Sequence, residues 1–342
     1  MSFKKFTVME NALCKDQTIK GTLMYHAAGT GRFGGRLLQT QNLTKGNIDG
    51  EEAVTRIHNG EFDVELVKSA VRPMIHHKDG MTISDYAGIE ARVVQWLAQD
   101  SVALQVFHDG LDPYKWMAEK IYGVPYDKVT SKQRFTGKQA ILGLGYQMSA
   151  KKFISMVESY GETIEQDEAQ LAVNTYRGIH RKLVNFWSVI EEVAKKAVTR
   201  PDTMFRVNKY ISFMVEEDFL YMVLPSGRRL SYYKPQLDDG KFGLSLSYMS
   251  MNEKSQFVRT HTYGGKLTEN AVQAIARDLL VVAIRNFLEK GYRIITHIHD
   301  EIVLLGIHDI PTIEAIMCDS PLWAEGIPLL ADSFTTTRFK KG

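Results

Sequence analysis

Three short stretches hold residue types that could do chemistry together: Ser84-Asp85-Tyr86-Ala87-Gly88-Ile89-Glu90, then Arg134 with Lys138 and Tyr146, then His299-Asp300-Glu301. The first and third set an acid beside a β-rich run. The second sets two cations and an aromatic at helical spacing. Paired carboxylates hold divalent metals and a cationic helix face grips a polyphosphate, so the combination fits metal-dependent nucleotidyl transfer. In such a reaction one metal lowers the pKa of the attacking hydroxyl. The other neutralises the triphosphate and the leaving pyrophosphate, about 3.5–4 Å away. Mg²⁺ keeps water and substrate phosphate in its shell, so about two protein carboxylates suffice. Taken singly, Asp85 or Asp300 reads as a strand-end or turn residue, and His299 as a satisfied structural histidine. Their co-occurrence changes the reading. Glu301 is a secondary candidate, through water or as local negative charge.

Arg134, Lys138, Leu142 and Tyr146 recur at i+4 spacing, so they line one stripe of a helix. Arg as a fork and Lys as a point charge can clasp β- and γ-phosphate oxygens. Tyr146 could face a base or sugar. For the helix alone, a solvated basic face with a buried tyrosine accounts for the same pattern. Gly143 and Gly145 weaken the helix end by roughly 1 kcal/mol each against Ala, and allow another backbone or a base pair to approach closely.

These residues need elements to hold them. Residues 1–60 are polar and punctuated by Gly29, Gly31, Gly34 and Gly35, which predicts short strands and loops. Residues 81–86 alternate as a strand, with a helix over 89–98 after it. Asp112-Pro113 opens a helix toward Tyr122, and Thr130-Ser131 opens another through Tyr146. Residues 151–198 keep a helical pattern interrupted by Gly161 and Gly178. Residues 203–262 turn to β character, with a hairpin across Pro225-Ser226-Gly227. A long amphipathic helix spans 267–288. The β-branched run 293–305 is broken by His297, His299, Asp300 and Glu301, which fits a hairpin whose turn carries the acids. The fold class is therefore α+β, with a helical block at roughly 100–200 inserted into the body.

Composition sets the outer limits. The chain has 342 residues, 44% of them hydrophobic, and a net charge of +2. It can bury a sizeable core, and it is not a globally basic DNA-coating protein. Any grip on nucleic acid comes from local clusters of Lys and Arg. Cys14 and Cys318 read as free thiols in a reducing cytosol. The start, Met1-Ser2-Phe3-Lys4-Lys5, does not resemble a signal peptide, and no apolar run reaches bilayer length. There are no repeats and no low-complexity linker.

At this point the residues resemble family A DNA polymerases, the group of bacterial DNA polymerase I, and most closely the phage and prophage type. Asp85-Tyr86-x-x-Ile89-Glu90-x-Arg92 is similar to the family's first palm motif, Arg134-x3-Lys138-x7-Tyr146 to its fingers helix, and His299-Asp300-Glu301 to its third motif. Thr30-Gly31-Arg32, with Gln39, Gln41 and Asn42 following, resembles the segment lining the primer–template minor groove. Asn270-Ala271-Val272-Gln273-Ala274 resembles a DNA-contacting palm helix, and Tyr263-Gly264-Gly265-Lys266-Leu267 is similar to phage members in particular. The resemblance implies a palm at 1–100 and 204–342, built on an antiparallel sheet with packed helices, and helical fingers at 101–203. It implies two Mg²⁺ ions, with Mn²⁺ as a substitute, held by Asp85 and Asp300 with the Tyr86 carbonyl, and Glu301 stays the secondary metal candidate. Arg134 and Lys138 would bind the incoming dNTP, Lys138 also protonating pyrophosphate. Glu90, bonded to Tyr146, would be the steric gate against a ribose 2′-hydroxyl. Arg32 and Gln273 would probe minor-groove acceptors, which correct pairs display alike, with Gln39, Gln41 and Asn42 beside them. His299 would help position the primer end.

The chain departs from the family pattern at Leu142, where Phe or Tyr is usual, and at Gly88 for Gln, Ala87 for Ser and Gln147 for Gly. Leu142 can neither stack nor donate a hydrogen bond beside the sugar. None of these removes a metal ligand or the cationic pair, so an active enzyme is expected. The segment before Gly21 is too short for a thumb or a 3′–5′ exonuclease domain. The expectation is a split or truncated polymerase that takes primer–template DNA and relies on a separate chain for grip and proofreading. It would work in the cytoplasm, that of a bacterial host if phage-encoded, with no membrane partner. Two rivals are a single-subunit RNA polymerase or reverse transcriptase, which Glu90 opposes, and a non-catalytic scaffold with the same fold, which the intact Asp85, Asp300, Arg134 and Lys138 oppose.

Overall fold

Alternation in the strand His76–Tyr86 sends Met81, Ile83 and Asp85 to one side and Thr82, Ser84 and Tyr86 to the other. Residues 80–84 are buried throughout, as a central strand requires. A computed structural model describes residues 2–240, 243–252 and 254–340. It places this strand third in a four-stranded antiparallel sheet, in the order Ile294–Ile298, Glu301–Leu305, His76–Tyr86, Ala331–Arg338. Ile83 pairs with Val303 on one side and Phe334 on the other.

The chain forms two compact units. The first comprises Met1–Ala87, Arg277–Pro321 and Leu329–Gly342. One face of its sheet buries Met81, Ile83 and Val303 with Met9, Leu38, Leu43, Val71 and Phe339. On the other face the polar side chains of the central strand find partners. The Tyr86 hydroxyl donates to the Met317 carbonyl at 2.6 Å, Thr82 to the Gly306 carbonyl at 2.8 Å, and Ser333 to the Ser84 hydroxyl at 2.9 Å. The first 60 residues hold more helix than expected: Ser2–Ala12 and Gly50–His58 are helical, beside the small pair Leu23–Met24 and Gly34–Gly35. Asp49 accepts from the N–H groups of Glu51 and Glu52, so a stretch that reads as a loop is a capped helix start.

The second unit comprises Gly88–Ala276 and Leu322–Pro328. Its helices begin with Ile89–Ala98 and Ser101–His108. Pro113–Tyr122 is capped by Asp112, and Ser131–Gly143 opens on a Thr130–Gln133 capping box. The helix expected to reach Tyr146 ends at Gly143 and tightens into a 3₁₀ turn, Leu144–Tyr146. The long helical stretch is three helices, Ala150–Ser159, Gln166–Ile179 and Arg181–Thr199. Gly161 (φ +82°) follows the first, but the second break falls at His180, and Gly178 stays helical. A six-stranded antiparallel sheet from Phe205–Arg206 to Phe257–Thr262 follows in simple sequence order. The Gly264–Glu289 helix gives residues 264–276 to this unit and 277–289 to the first. Among the described residues Cys14 and Cys318 form no disulfide, and no helix is long and apolar enough to cross a membrane.

Candidate active site

In the first unit the hairpin Ile294–Ile298/Glu301–Leu305 closes through His299 and Asp300, since Ile298 pairs with Glu301. Two-residue hairpins need positive φ, and His299 supplies it at 56°. That conformation is uncommon outside glycine, though histidine enters it more readily than most. The turn ties Asp300 to the end of the central strand: the Tyr86 N–H donates to the Asp300 carbonyl at 3.2 Å. Asp85 immediately precedes Tyr86, so this main-chain bond joins the two acid-bearing strand ends. The Tyr86 side chain lies on the opposite face, which leaves its main chain as the part able to join the acids.

Glu301 is the first residue of its strand rather than part of the turn, and it pairs with Asp85 across the sheet. Direct cross-strand partners share a face. Glu301 is buried, at 4% exposure. Burial pulls the Arg72 guanidinium down in pKa and the Glu301 charge pushes it up, so these two groups sense each other. Asp332 pairs with Asp85 from the other side and places a third acid in the row. The sequence reading missed it, because the register of Ala331–Arg338 against a strand made so much earlier leaves no local signal. Carboxylates on adjoining strand ends and a main-chain carbonyl are hard oxygen donors, which suit Mg²⁺ with water and phosphate completing its shell. Among the described residues no group of three or more His, Cys, Asp or Glu side chains gathers as an all-protein metal cage.

The same unit holds the loop of Arg32. Leu23–Met24 pairs with Gly34–Gly35, the Ala27 N–H donates to the Arg32 carbonyl at 3.0 Å, and Gly31 takes φ +83°. Gln39, also at positive φ (51°), precedes a 3₁₀ turn, Thr40–Asn42, that carries Gln41 and Asn42. Lys5 Nζ donates to the Asn42 carbonyl at 2.6 Å. His297 stacks edge-on against Phe33 at 4.3 Å, and burial with the nearby Arg277 pushes its pKa down to about 4.

In the second unit the Ser131–Gly143 helix carries Arg134, Lys138 and Leu142, and the 3₁₀ turn carries Tyr146. Arg134 Nε donates to Asp112 Oδ2 at 2.7 Å. Its guanidinium lies 5.2 Å from the Tyr114 ring, and Lys138 Nζ lies 5.9 Å from the same ring. Burial pushes the Asp112 carboxyl up, but Arg134 and the N–H groups of Lys115 and Tyr114 outweigh it and hold the group below its ordinary value. The Tyr146 hydroxyl donates to Glu90 Oε2 at 3.0 Å; burial and that carboxylate push the phenol well above its ordinary range. Gln273 Nε2 donates to Glu269 Oε1 at 3.1 Å, and Lys266 pairs with Glu269 at 3.0 Å. Asp112 stood out in the sequence only as a helix start, and Tyr114 and Glu269 not at all, since the contacts each makes here run to a partner distant along the chain or one turn away.

Close approach occurs at other glycines than those expected. A Cβ at Gly137 would lie 2.1 Å from the Tyr114 carbonyl oxygen, so this glycine lets two helices touch. At Gly143 the nearest atoms are flexible methionine ends, Met156 Sδ at 2.8 Å and Met148 Cε at 3.2 Å. A Cβ at Gly264 would lie 1.9 Å from the Trp187 carbonyl oxygen, and one at Gly265 would lie 2.4 Å from that of Tyr146. Gly264 thus admits the main chain of the Arg181–Thr199 helix and Gly265 that of the tyrosine turn, and Gln147 Oε1 accepts from the Gly265 N–H at 3.0 Å.

A family model described as DNA polymerase family A matches residues 4–315. The DNA polymerase of Bacillus phage SP02 is 36% identical over 362 residues, covering 99% of this chain and 55% of that protein. DNA polymerase I of Pseudomonas aeruginosa is 25% identical over 229 residues, covering 65% of this chain and 20% of that protein. The thermostable DNA polymerase I of Thermus aquaticus is 24% identical over 282 residues, covering 80% and 28%. The POL domain of Pol1 from M. smegmatis, solved in complex with DNA primer-template and dNTP, has the same fold. It matches with a TM-score of 0.66 at 20% identity, covering 97% of this chain and 50% of that one. The chain therefore spans about half the length of the phage relative, 55%.

Proposed function

The chain belongs to DNA polymerase family A, and from that premise we propose that it is the catalytic core of a DNA-directed DNA polymerase, adding dNMP to a primer 3′-hydroxyl on a template. The observation that carries this reading is the Tyr86–Asp300 main-chain bond, which ties the Asp85 and Asp300 strand ends together. Residues 1–100 and 204–342 serve as palm and 101–203 as fingers.

Asp85 and Asp300, with the Tyr86 carbonyl and Glu301 beside them, would hold two Mg²⁺ ions. When bound, the ions make the primer hydroxyl a better nucleophile and screen the triphosphate charge. Arg134 takes the triphosphate by exchanging its Asp112 partner for phosphate oxygens, which a guanidinium grips in the same forked way. Lys138, on the exposed side of the helix, binds beside it and gives its proton to the departing pyrophosphate. Tyr146 holds Glu90 where a ribose 2′-hydroxyl would go, and the deoxyribose packs on Leu142. Arg32 and Gln273 test the minor-groove acceptors of the newest pair, with Gln39, Gln41 and Asn42 along the same strand, and His299 seats the primer end.

Primer extension tests the reading. Asp300→Ala is expected to cut dNMP incorporation by on the order of 10³-fold or more while leaving the melting temperature within a few degrees. Equal background signals from both proteins would instead assign the chain a DNA-binding scaffold role. Glu90→Ala is expected to raise ribonucleotide use by on the order of 10²-fold relative to deoxyribonucleotides, since the gate rejects by steric and desolvation cost. An unchanged ratio would remove Glu90 from the sugar pocket.

A further inference from the structure

Arg277 sits one turn beyond Gln273 on the Gly264–Glu289 helix, yet its partners lie elsewhere in the first unit. Its residue is 6% exposed. Nε donates to the Gly31 carbonyl at 2.9 Å, and Nη1 pairs with Asp278 at 3.2 Å. The guanidinium lies 4.5 Å from the Tyr25 ring and 5.0 Å from the Phe33 ring, so two aromatics from the Arg32 loop pack on it. Phe33 in turn stacks on His297, two residues before His299 in the hairpin that carries Asp300. A buried guanidinium is an expensive way to fill space, and apolar residues of similar volume often serve stability as well or better. What an apolar residue cannot do is fix a carbonyl and two rings in direction at once. Here the carbonyl belongs to Gly31, at φ +83°, and the next residue is Arg32.

We propose that Arg277 is a positioning residue: it clamps the 25–33 loop through Gly31, Tyr25 and Phe33, so that Arg32 meets the primer–template minor groove in a fixed pose relative to the His299-Asp300 hairpin. The proposal rests on the polymerase reading. It predicts an effect on duplex binding and primer-end discrimination that passes through Arg32, not through nucleotide binding.

A double-mutant cycle tests it, with Arg277→Met, Arg277→Lys, Arg32→Ala and the Arg32→Ala/Arg277→Met pair. The readouts are primer–template affinity by fluorescence anisotropy, extension of matched against mismatched primer ends, dNTP KM on matched ends, and melting temperature. Arg277→Met is expected to weaken primer–template binding about tenfold and to cut the matched-over-mismatched preference about as much, with dNTP KM changed less than about twofold. In the Arg32→Ala background the same change is expected to have almost no further effect on binding. Arg277→Lys, which keeps the charge but not the fork, is expected to show about a third of the effect and guards against a methionine variant that folds poorly. Additive losses in the cycle, or losses from the lysine variant that follow melting temperature alone, would overturn the proposal. A wild-type chain that binds duplex but extends no primer would overturn the polymerase reading instead, and anisotropy would still report whether Arg277 and Arg32 are coupled.

Discussion

Asp85 and Asp300 are held in the first unit by main-chain register, whereas Arg134 and Lys138 in the second are held by other side chains. The acids inherit their places from strand pairing and from a Tyr86–Asp300 backbone bond. The cations rest on Asp112 and on the Tyr114 ring, partners that a phosphate can replace. The difference fits what each group would handle. Metal ions favour a preorganised set of oxygens, which costs no rearrangement at the moment of reaction. On the proposed reading a triphosphate would enter and leave in each cycle, which suits partners held by contacts that trade readily.

Three perturbations break or sharpen that contrast. The largest effect is expected from Lys138→Ala: a fall of about 10²–10⁴-fold in kcat, the usual range for losing a general acid, with primer–template affinity unchanged. Arg at 138 keeps the charge and is expected to recover part of the binding but little of the rate, and single-turnover incorporation separates the two. If alanine there alters only KM, the helix grips the nucleotide and does no proton transfer.

The second perturbation targets the rigid side. His297 has its pKa lowered to about 4 from 6.5, first by burial and then by Arg277. A base whose folded pKa is depressed binds fewer protons folded than unfolded between those values, so its contribution is complete above about pH 6.5. It is lost as pH falls toward 4, and amounts to about 3 kcal/mol. Urea unfolding at pH 7 and pH 4.5 should therefore show a steeper loss for the wild type than for His297→Leu, which carries no titrating group. Parallel losses would mean that acid sensitivity arises elsewhere.

The smallest effect is expected at the exchangeable partner. Asp112→Asn keeps the N-cap of the Pro113–Tyr122 helix but removes the charge competing for Arg134. A drop in dNTP KM of about twofold to fivefold is expected, the scale of a half-exposed ion pair. A rise would show that Asp112 orients Arg134 instead of competing for it.

Much of the site could be read from the chain alone. Alternation over residues 81–86 and the polar break at His299-Asp300 announce two strand ends with acids, and both strands are present. The i+4 stripe through Leu142 is a helix face, though Tyr146 lies past the helix end. Local rules served where the signal was local. They did not reach Asp332, whose position depends on pairing with a strand from the other end of the sequence. Nor did they reach Gly137, whose lack of a side chain matters only because the Tyr114 carbonyl lies against it. Arg277 escaped for the same reason: in a helical stretch it reads as one more basic residue, and its role is visible only through Gly31 and two rings. The helix after Asp49 was legible in principle, since Asp-Gly-Glu-Glu is capping grammar, but neighbouring glycines masked it.

The order of strands in the four-stranded sheet has a consequence for how the protein is made. Its centre, His76–Tyr86, leaves the ribosome first, while both neighbours, Glu301–Leu305 and Ala331–Arg338, are translated only after the whole run from 88 to 276. Throughout that interval the nascent strand carries two open hydrogen-bonding edges and a Met81-Thr82-Ile83 segment suited to pairing with the wrong chain. The chain is thus most prone to aggregate while still being synthesised, and its yield should depend on chaperones that cover that strand until its neighbours arrive.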